Sequence, residues 1–502
     1  MSVTGVSANL APLVQSVLDI NKQLSTLSQQ LGTGMKSDTY GGLGAQSGIA
    51  VALNAQLAAL QSYDATINNV GTTISLQQQV LQQIASTASD VQTATVQQPT
   101  FSLDSTGQTT IQKTAALQLD QILSALNTQG GNGYLFSGNA PDQPATDTAD
   151  HILNGNGSQA GLKQVIAERQ QADLGADGLG RLVIPAASGS VVSMSEDVAG
   201  SPFGLKLSSV TSSLTGATVT GPSGSPANIS VNLNGVNPNN GDTVSFTFTL
   251  PDGTSQTLQL QATTASPPGQ NQFTIDPVAS TTAANLQAAL TAGVTQIGAT
   301  SLTAASAMAA SNDFFGDPPM RVSGTPATAT SLTPGTSANT VMWYTGNDTT
   351  GSIRDTATVR IDGSTSVSYG TQANEEGIRW IVQNIATLAA TTYSPSDPNA
   401  SASYTALNQR VYTALSVPSG VQSVDDIEAS LAVAQNAMST AQDQHAQRSN
   451  TLSDMLQSIE GVDTTQVGAQ ILSLQTSLSA SLSTTARLAQ LNLLSYLGPV
   501  SG

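Results

Sequence analysis

Apolar residues fall at alternating steps of three and four near both ends of the chain, and the middle follows other patterns. At the N-terminal end the row is Leu10, Leu13, Val17, Ile20, Leu24, Leu27 and Leu31. At the C-terminal end it is Ile427, Leu431, Ala434, Met438, Ala441, His445, Arg448, Leu452, Met455 and Ile459, with two polar interruptions at His445 and Arg448. Such spacing sets a narrow apolar seam on one side of a helix, as a coiled coil requires. A seam needs a partner, either the other end of the same chain or a second copy of it. Paired terminal helices of this kind belong to assembly proteins more often than to enzymes.

Leu10 to Leu31 therefore predicts a helix about 33 Å long at the usual rise, closed by Gly32-Thr33-Gly34. A second, longer helix carries Leu53, Leu57, Leu60, Tyr63, Ile67, Val70, Ile74, Leu81, Ile84, Ala88 and Val91, with Pro99 closing it. A third carries Ala115, Leu119, Ile122 and Leu126 and stops at Gly130-Gly131-Asn132-Gly133. Asn139 to Gly161 is rich in Pro, Asp, Asn and Gly and reads as loop and turn. Val244, Phe246, Phe248 and Leu250 alternate with Ser or Thr, then Pro251-Asp252-Gly253 leads to Leu258 and Leu260, a β-hairpin signal. A short helix with Leu286 and Leu290 follows, capped by Ser280 or Thr281. The aromatics of Phe314-Phe315 and Trp343-Tyr344 are placed to seed a small core, Thr358 to Tyr369 alternates as strands do, and Ile378, Ile381, Ile385 and Leu388 mark another helix. Ser394 to Ser401 reads as a linker, and long helices resume near Val424 with a break at Gly461-Val462-Asp463.

The expected fold class is multidomain α plus β: a long antiparallel coiled-coil-like helical core built from both termini, with β-rich and α+β domains inserted in the middle. The expected segments are an N-terminal helical core (1–138), the first part of a loop-rich β outer domain (139–200), an inserted α+β domain (201–310), the second part of the outer domain (311–420), and a C-terminal helical core (421–502) pairing with the first.

Composition narrows the function. Charged residues make up only 9 % of the chain, and Gln, Ser, Thr and Asn carry its polarity. Such a surface packs against copies of itself with little desolvation cost. The net charge of -18 argues against a nucleic-acid partner, since little here neutralises a phosphate backbone. With no cysteine, disulfides and thiolate chemistry are excluded. The start, Met1-Ser2-Val3-Thr4-Gly5, lacks the basic and apolar regions of a cleaved signal peptide. No run approaches the roughly 18 apolar residues of a membrane span.

Catalytic chemistry has no candidate residues. His151 and His445 are the only histidines, and neither HExxH nor CxxC occurs. His151 falls in a polar stretch and reads as solvated. His445 and Arg448 stand on the seam, either as a registry device or where the seam is locally exposed. Gly42, Gly44 and Gly48 neither follow a strand nor precede Lys-Ser/Thr, so they form no phosphate loop. Asp173 and Asp177-Gly178 hint at calcium without a full ligand set. No enzyme activity, cofactor or metal is expected.

Leu31-Gly32-Thr33-Gly34-Met35-Lys36 resembles the Leu-Ser-Thr-Gly signature of the bacterial flagellin family. Asn127 to Gly138, reading NTQGGNGYLFSG, is similar more narrowly to the hook–filament junction branch, the hook-associated protein 3 group. Leu491-Asn492-Leu493-Leu494-Ser495-Tyr496-Leu497 resembles the family's C-terminus. The chain departs from the family in having one acidic residue, Asp38, after the signature, and three Lys but no Arg from Met1 to Gly138. The resemblance implies a secreted structural subunit of the flagellum, exported without a cleaved signal, joining hook to filament as a homo-oligomer. Its implied partners are other axial proteins (a hook-associated protein and the filament flagellin) and an export chaperone. The implied assembly seam is Leu10, Val17, Ile20, Leu24, Leu27, Leu31, Ile471, Leu474, Leu478, Leu488 and Leu491. The large central insert fits a filament flagellin better, and a coiled-coil adhesin or fibre protein is a third reading.

Overall fold

The computed structural model describes residues 4–97, 101–131, 133–347 and 351–496. The chain is mixed α and β, and it divides into two compact units. The first gathers Met1–Val70, Val359–Val367 and Asn436–Gly502; the second holds Gly71–Thr358 and Ser368–Gln435.

In the first unit, α1 (Thr4–Thr33) packs along α11 (Thr464–Tyr496). Gly34 ends α1 with φ at 71°, the left-handed turn that follows many helices, and its N–H donates to the Gln30 carbonyl at 2.8 Å. A short 3-10 stretch, Tyr40–Gln46, leads into α2 (Ser47–Val96), which contributes to both units, as does α10 (Val424–Glu460). Within the first unit α2 and α10 run in opposite directions. Asp64 meets His445, and Asn68 accepts from Gln442 at 2.9 Å. Asp463 starts α11 by accepting from the N–H groups of Thr465 and Gln466 at 2.9 and 3.1 Å.

The second unit joins a helical layer to two small sheets. α3 (Thr110–Leu126) begins with a capping box in which Thr109 and Gln112 satisfy each other's backbone N–H groups. It packs on α8 (Glu376–Ala390), which also touches α7 (Thr303–Phe314) and α9 (Ala400–Leu415). α5 (Leu162–Leu174) lies on α7, and the six-residue α4 (Ala149–Asn154) lies beside α5. Phe314, Phe315 and Trp343 stack in series with ring centres 5.2 Å apart at each step.

One sheet has the order β10 (Gln272–Thr274), β9 (Ser255–Thr263), β8 (Thr243–Thr249), β5 (Lys206–Ser212). The other has the order β3 (Leu182–Val183), β4 (Val191–Glu196), β7 (Asn228–Asn232), β6 (Thr218–Ser223). The expected hairpin is β8–β9, with Val244 opposite Leu260 and Phe246 opposite Leu258. Its alternation buries Val244, Phe246, Phe248 and Leu250 together, against α6 (Ala279–Ile297) and the second sheet. This apolar cluster runs from Leu182 to Ala305, so it already begins 19 residues before the expected insert boundary at 201. Among the described residues three two-stranded ladders complete the strands: β1 (Gln129–Gly130) with β2 (Gly133–Tyr134), β11 (Met320–Val322) with β12 (Leu332–Pro334), and β13 (Thr358–Arg360) with β14 (Ser366–Ser368).

The structure corrects several expectations. The stretch 139–161 contains α4, started by the Thr148 side chain accepting from the His151 N–H. His151 is consequently helical and half-buried, with Nδ1 at 2.5 Å from Asp147. α6 spans 19 residues and is not short; it starts after Val278. Neither Ser280 nor Thr281 caps it; the Thr282 hydroxyl instead accepts from the Asp276 N–H at 2.9 Å. The helices α5, α7 and α9 were not anticipated. The Asp173 carboxylate accepts from Arg169 at 3.0 Å and from the Gly204 N–H at 2.8 Å. Pro99, expected to close α2, lies outside the described residues.

One stretch of the described residues, Tyr40–Val96, is long and apolar enough by length and composition to cross a membrane. Asp64, Asp90 and a series of glutamines interrupt its apolar row, as in a helix that packs on protein.

Candidate assembly surface

The signature at the end of α1 forms a clasp inside the first unit. Met35 pairs antiparallel with Gly461, the Lys36 N–H donates to the Glu460 carbonyl at 2.7 Å, and the Val462 N–H donates to the Gly34 carbonyl at 3.0 Å. The Lys36 ammonium donates to the Ser458 and Ile459 carbonyls at 3.0 and 2.7 Å. Those carbonyls belong to the last turn of α10, where backbone acceptors lack helical partners and the dipole favours a cation. Lys36 thus caps α10 from a position 422 residues away in sequence. The clasp brings the end of α1 to the beginning of α11, so the two helices run in opposite directions.

Along that pair, Val17, Ile20, Leu24 and Leu27 of α1 are half-buried, as are Ile471, Leu474 and Leu478 of α11. Leu31 and Leu488 are exposed. The side chains of Leu10 and Leu491 lie outside the described residues. A seam that meets one partner helix is covered on one side only, which accounts for the half-burial.

A second apolar row was missed in the sequence. On α1 Leu18 is 57 % exposed and Val14 is exposed as well; on α11 Leu472 is 67 % exposed and Leu482 is also exposed. Val14 and Leu18 are four residues apart and so share one face of α1. They directly follow the seam residues Leu13 and Val17, and that doubling was the available signal. α2 adds exposed Ile49 and Val51. In its most apolar window only 17 % of residues are buried, so the first unit carries more apolar helix than it covers.

At the α2–α10 contact, His445 is 1 % exposed, which settles its place as an interior seam residue. Its Nδ1 lies 2.6 Å from Asp64 Oδ1, its ring centre lies 6.0 Å from that of Tyr63, and its buried Nε2 has no hydrogen-bond partner. Nδ1–H donates to the carboxylate. A single polar pair in an apolar interface favours one register, because any slip leaves both members unpaired. Arg448, by contrast, is exposed and pairs with Asp362 at 3.0 Å. The Gly363 N–H and that guanidinium hold the Asp362 carboxyl below the usual range.

The stretch Asn127 to Gly138 lies in the second unit and packs as a structural knot. Asn127 exchanges two hydrogen bonds of 2.9 Å with the backbone of Thr146. Phe136 is fully buried, and the Ala373 N–H donates to its carbonyl at 2.8 Å. Gly138 has φ at 65°, and a Cβ there would meet the Asn347 carbonyl oxygen at 2.5 Å, so no larger residue fits.

Ion pairs in the second unit are internal. Arg169 holds both Asp173 and Asp313, Arg354 holds Glu375, and Arg410 holds Asp252. Burial pushes the Asp313 and Glu375 carboxyls above the usual range, against the pull of their arginines. Among the described residues no group of three or more His, Asp or Glu side chains is placed to hold a metal ion. No protein-family model matches the sequence, and no curated protein matches it either.

Proposed function

We propose that the chain is a structural subunit of the bacterial flagellum that joins hook to filament, its terminal helices packing against those of neighbouring subunits in a coiled-coil-like core. The observation that carries this reading is the α1–α11 pair. Helices from the two ends of the chain meet along a seam that remains half-exposed, and a second apolar row stands uncovered beside it. Neighbouring copies would cover both rows, at roughly 25 cal/mol per Å² of apolar area before ordering costs. The sequence resemblance of residues 31–36 and 127–138 supplies the flagellar assignment and the junction branch.

A filament flagellin is the second reading, favoured by the large apolar core between Leu182 and Ala305. Immunogold labelling with antibody against residues 201–310 separates the two. Label at one spot between hook and filament supports the junction subunit. Label along the whole filament replaces it with a flagellin, and label elsewhere on the cell overturns both.

A further inference from the structure

The second unit contains a solvent-open cavity of about 820 Å³ between the β8–β9 turn and the helices α7, α8 and α9. That volume lies within the range of roughly 300–1,000 Å³ usual for small-molecule sites. Its lining identifies the chemistry of a ligand. The two cations that reach it, Arg169 and Arg410, are already matched by the lining carboxylates Asp313 at 2.5 Å and Asp252 at 2.7 Å. Arg169 is further matched by Asp173. No guanidinium is left over for a phosphate or carboxylate, so the site does not favour an anionic guest.

What the cavity offers instead is carboxamides and one aromatic face. Asn312, Gln383 and Gln409 line it with carboxamides that can both donate and accept, and Asn384, whose Nδ2 donates to the Trp380 carbonyl at 2.7 Å, lies beside them. Gln383 is 5 % exposed, and its Oε1 is buried without a hydrogen-bond partner, a costly state for an amide oxygen. The Trp380 indole N–H is already committed to the Ala414 carbonyl at 2.7 Å. That bond fixes the ring and leaves it only apolar surface to present. Paired donors and acceptors beside a fixed indole suit a molecule with hydroxyls on its rim and C–H groups on its faces.

We propose that this cavity is a binding site for a neutral saccharide, of the size of a short oligosaccharide. The site is independent of the assembly reading, because every residue it uses lies in the second unit.

The test uses the full chain and the trisaccharides of glucose (α- and β-linked), mannose and N-acetylglucosamine, followed by tryptophan fluorescence and saturation-transfer NMR. At least one sugar gives a saturable response at roughly 1 mM or below. The response survives in Trp343→Phe, which leaves Trp380 as the only indole. It weakens at least tenfold in Gln383→Leu and in the double variant Asn312→Leu/Gln409→Leu. Both members of the double variant are exposed, so its melting temperature stays at the wild-type value and the test does not depend on a buried substitution. The proposal is overturned by a panel with no saturable response, by unchanged affinity in the folded variants, or by inorganic phosphate displacing the bound sugar.

Discussion

At the scale of single residues, a buried polar pair can fix a register that apolar burial alone leaves open. His445 interrupts the apolar row of α10, and Asp64 is the reason the interruption is tolerated. Asp64→Ala leaves His445 with neither nitrogen partnered, at a cost of about 1–3 kcal/mol. Asp64→Leu/His445→Leu, which removes both members, costs less than the single change. Urea unfolding of the three proteins checks this, and equal losses would remove the pair from the account. A pH dependence follows from Ser423 and Asp426 at the start of α10. The Ser423 N–H and hydroxyl donate to the Asp426 carboxylate at 2.8 and 2.7 Å and hold its pKa below the ordinary value. A depressed folded pKa stabilises above the ordinary aspartate range, near about 4, and that contribution is lost as pH falls through the folded value. The stability gap between the wild type and Asp426→Ala is therefore full at pH 7 and shrinks below the ordinary range; a constant gap would contradict the assignment. The seam position of His445 was legible from spacing, but its partner was not, because Asp64 lies 381 residues away. The partner of Asp173, by contrast, is Arg169, four residues earlier on the same helix, a spacing that the sequence displays.

At the scale of elements, periodicity revealed those helices that have one wet face. α1, α3 and the β8–β9 hairpin each keep a polar side in water, so their spacing survives in the sequence. α8 is buried almost all round, yet Ile378, Ile381, Ile385 and Leu388 mark it, whereas the buried Ala304, Ala305, Ser306, Ala307, Ala309, Ala310 and Ser311 of α7 are too small to print an apolar row. In α5 the buried Arg169 and Asp173 occupy core-facing positions, so charge stands where apolar residues would be counted. α9 shows Tyr404, Leu407, Val411 and Leu415 at steps of three and four, all buried. It was obscured by the polar stretch before it, which contains the Asp397 and Asn399 turn that leads into the helix. The assembly reading makes its own demand at this scale. Leu18→Asp and Leu482→Asp place charges on the uncovered row and leave the half-buried seam intact. These variants keep the circular dichroism of the wild type and sediment as monomers under conditions where the wild type associates. Assembly undiminished by both changes would exclude that row as a contact.

At the scale of the whole molecule, the division of labour between the two units can be tested by removing one helix. Among the described residues α1 packs mainly along α11, and helices in water owe most of their stability to such packing. A chain ending before Thr464 therefore loses the helical signal of α11 and of α1 as well, a larger drop than the deleted residues alone account for. The second unit keeps its own core: the cluster from Leu182 to Ala305, the α3–α8 layer and the stacked rings around Trp343 all lie outside the deletion. Both tryptophans, Trp343 and Trp380, belong to that unit. Their fluorescence should still report a single cooperative unfolding transition in urea, while the protein no longer associates at any concentration reached by the wild type. Three measurements on one truncated chain thus bear on separate links of the argument. A retained α1 signal would show that the helix does not depend on α11, lost tryptophan cooperativity would show that the units fold together, and persistent association would move the assembly surface away from the terminal helices altogether.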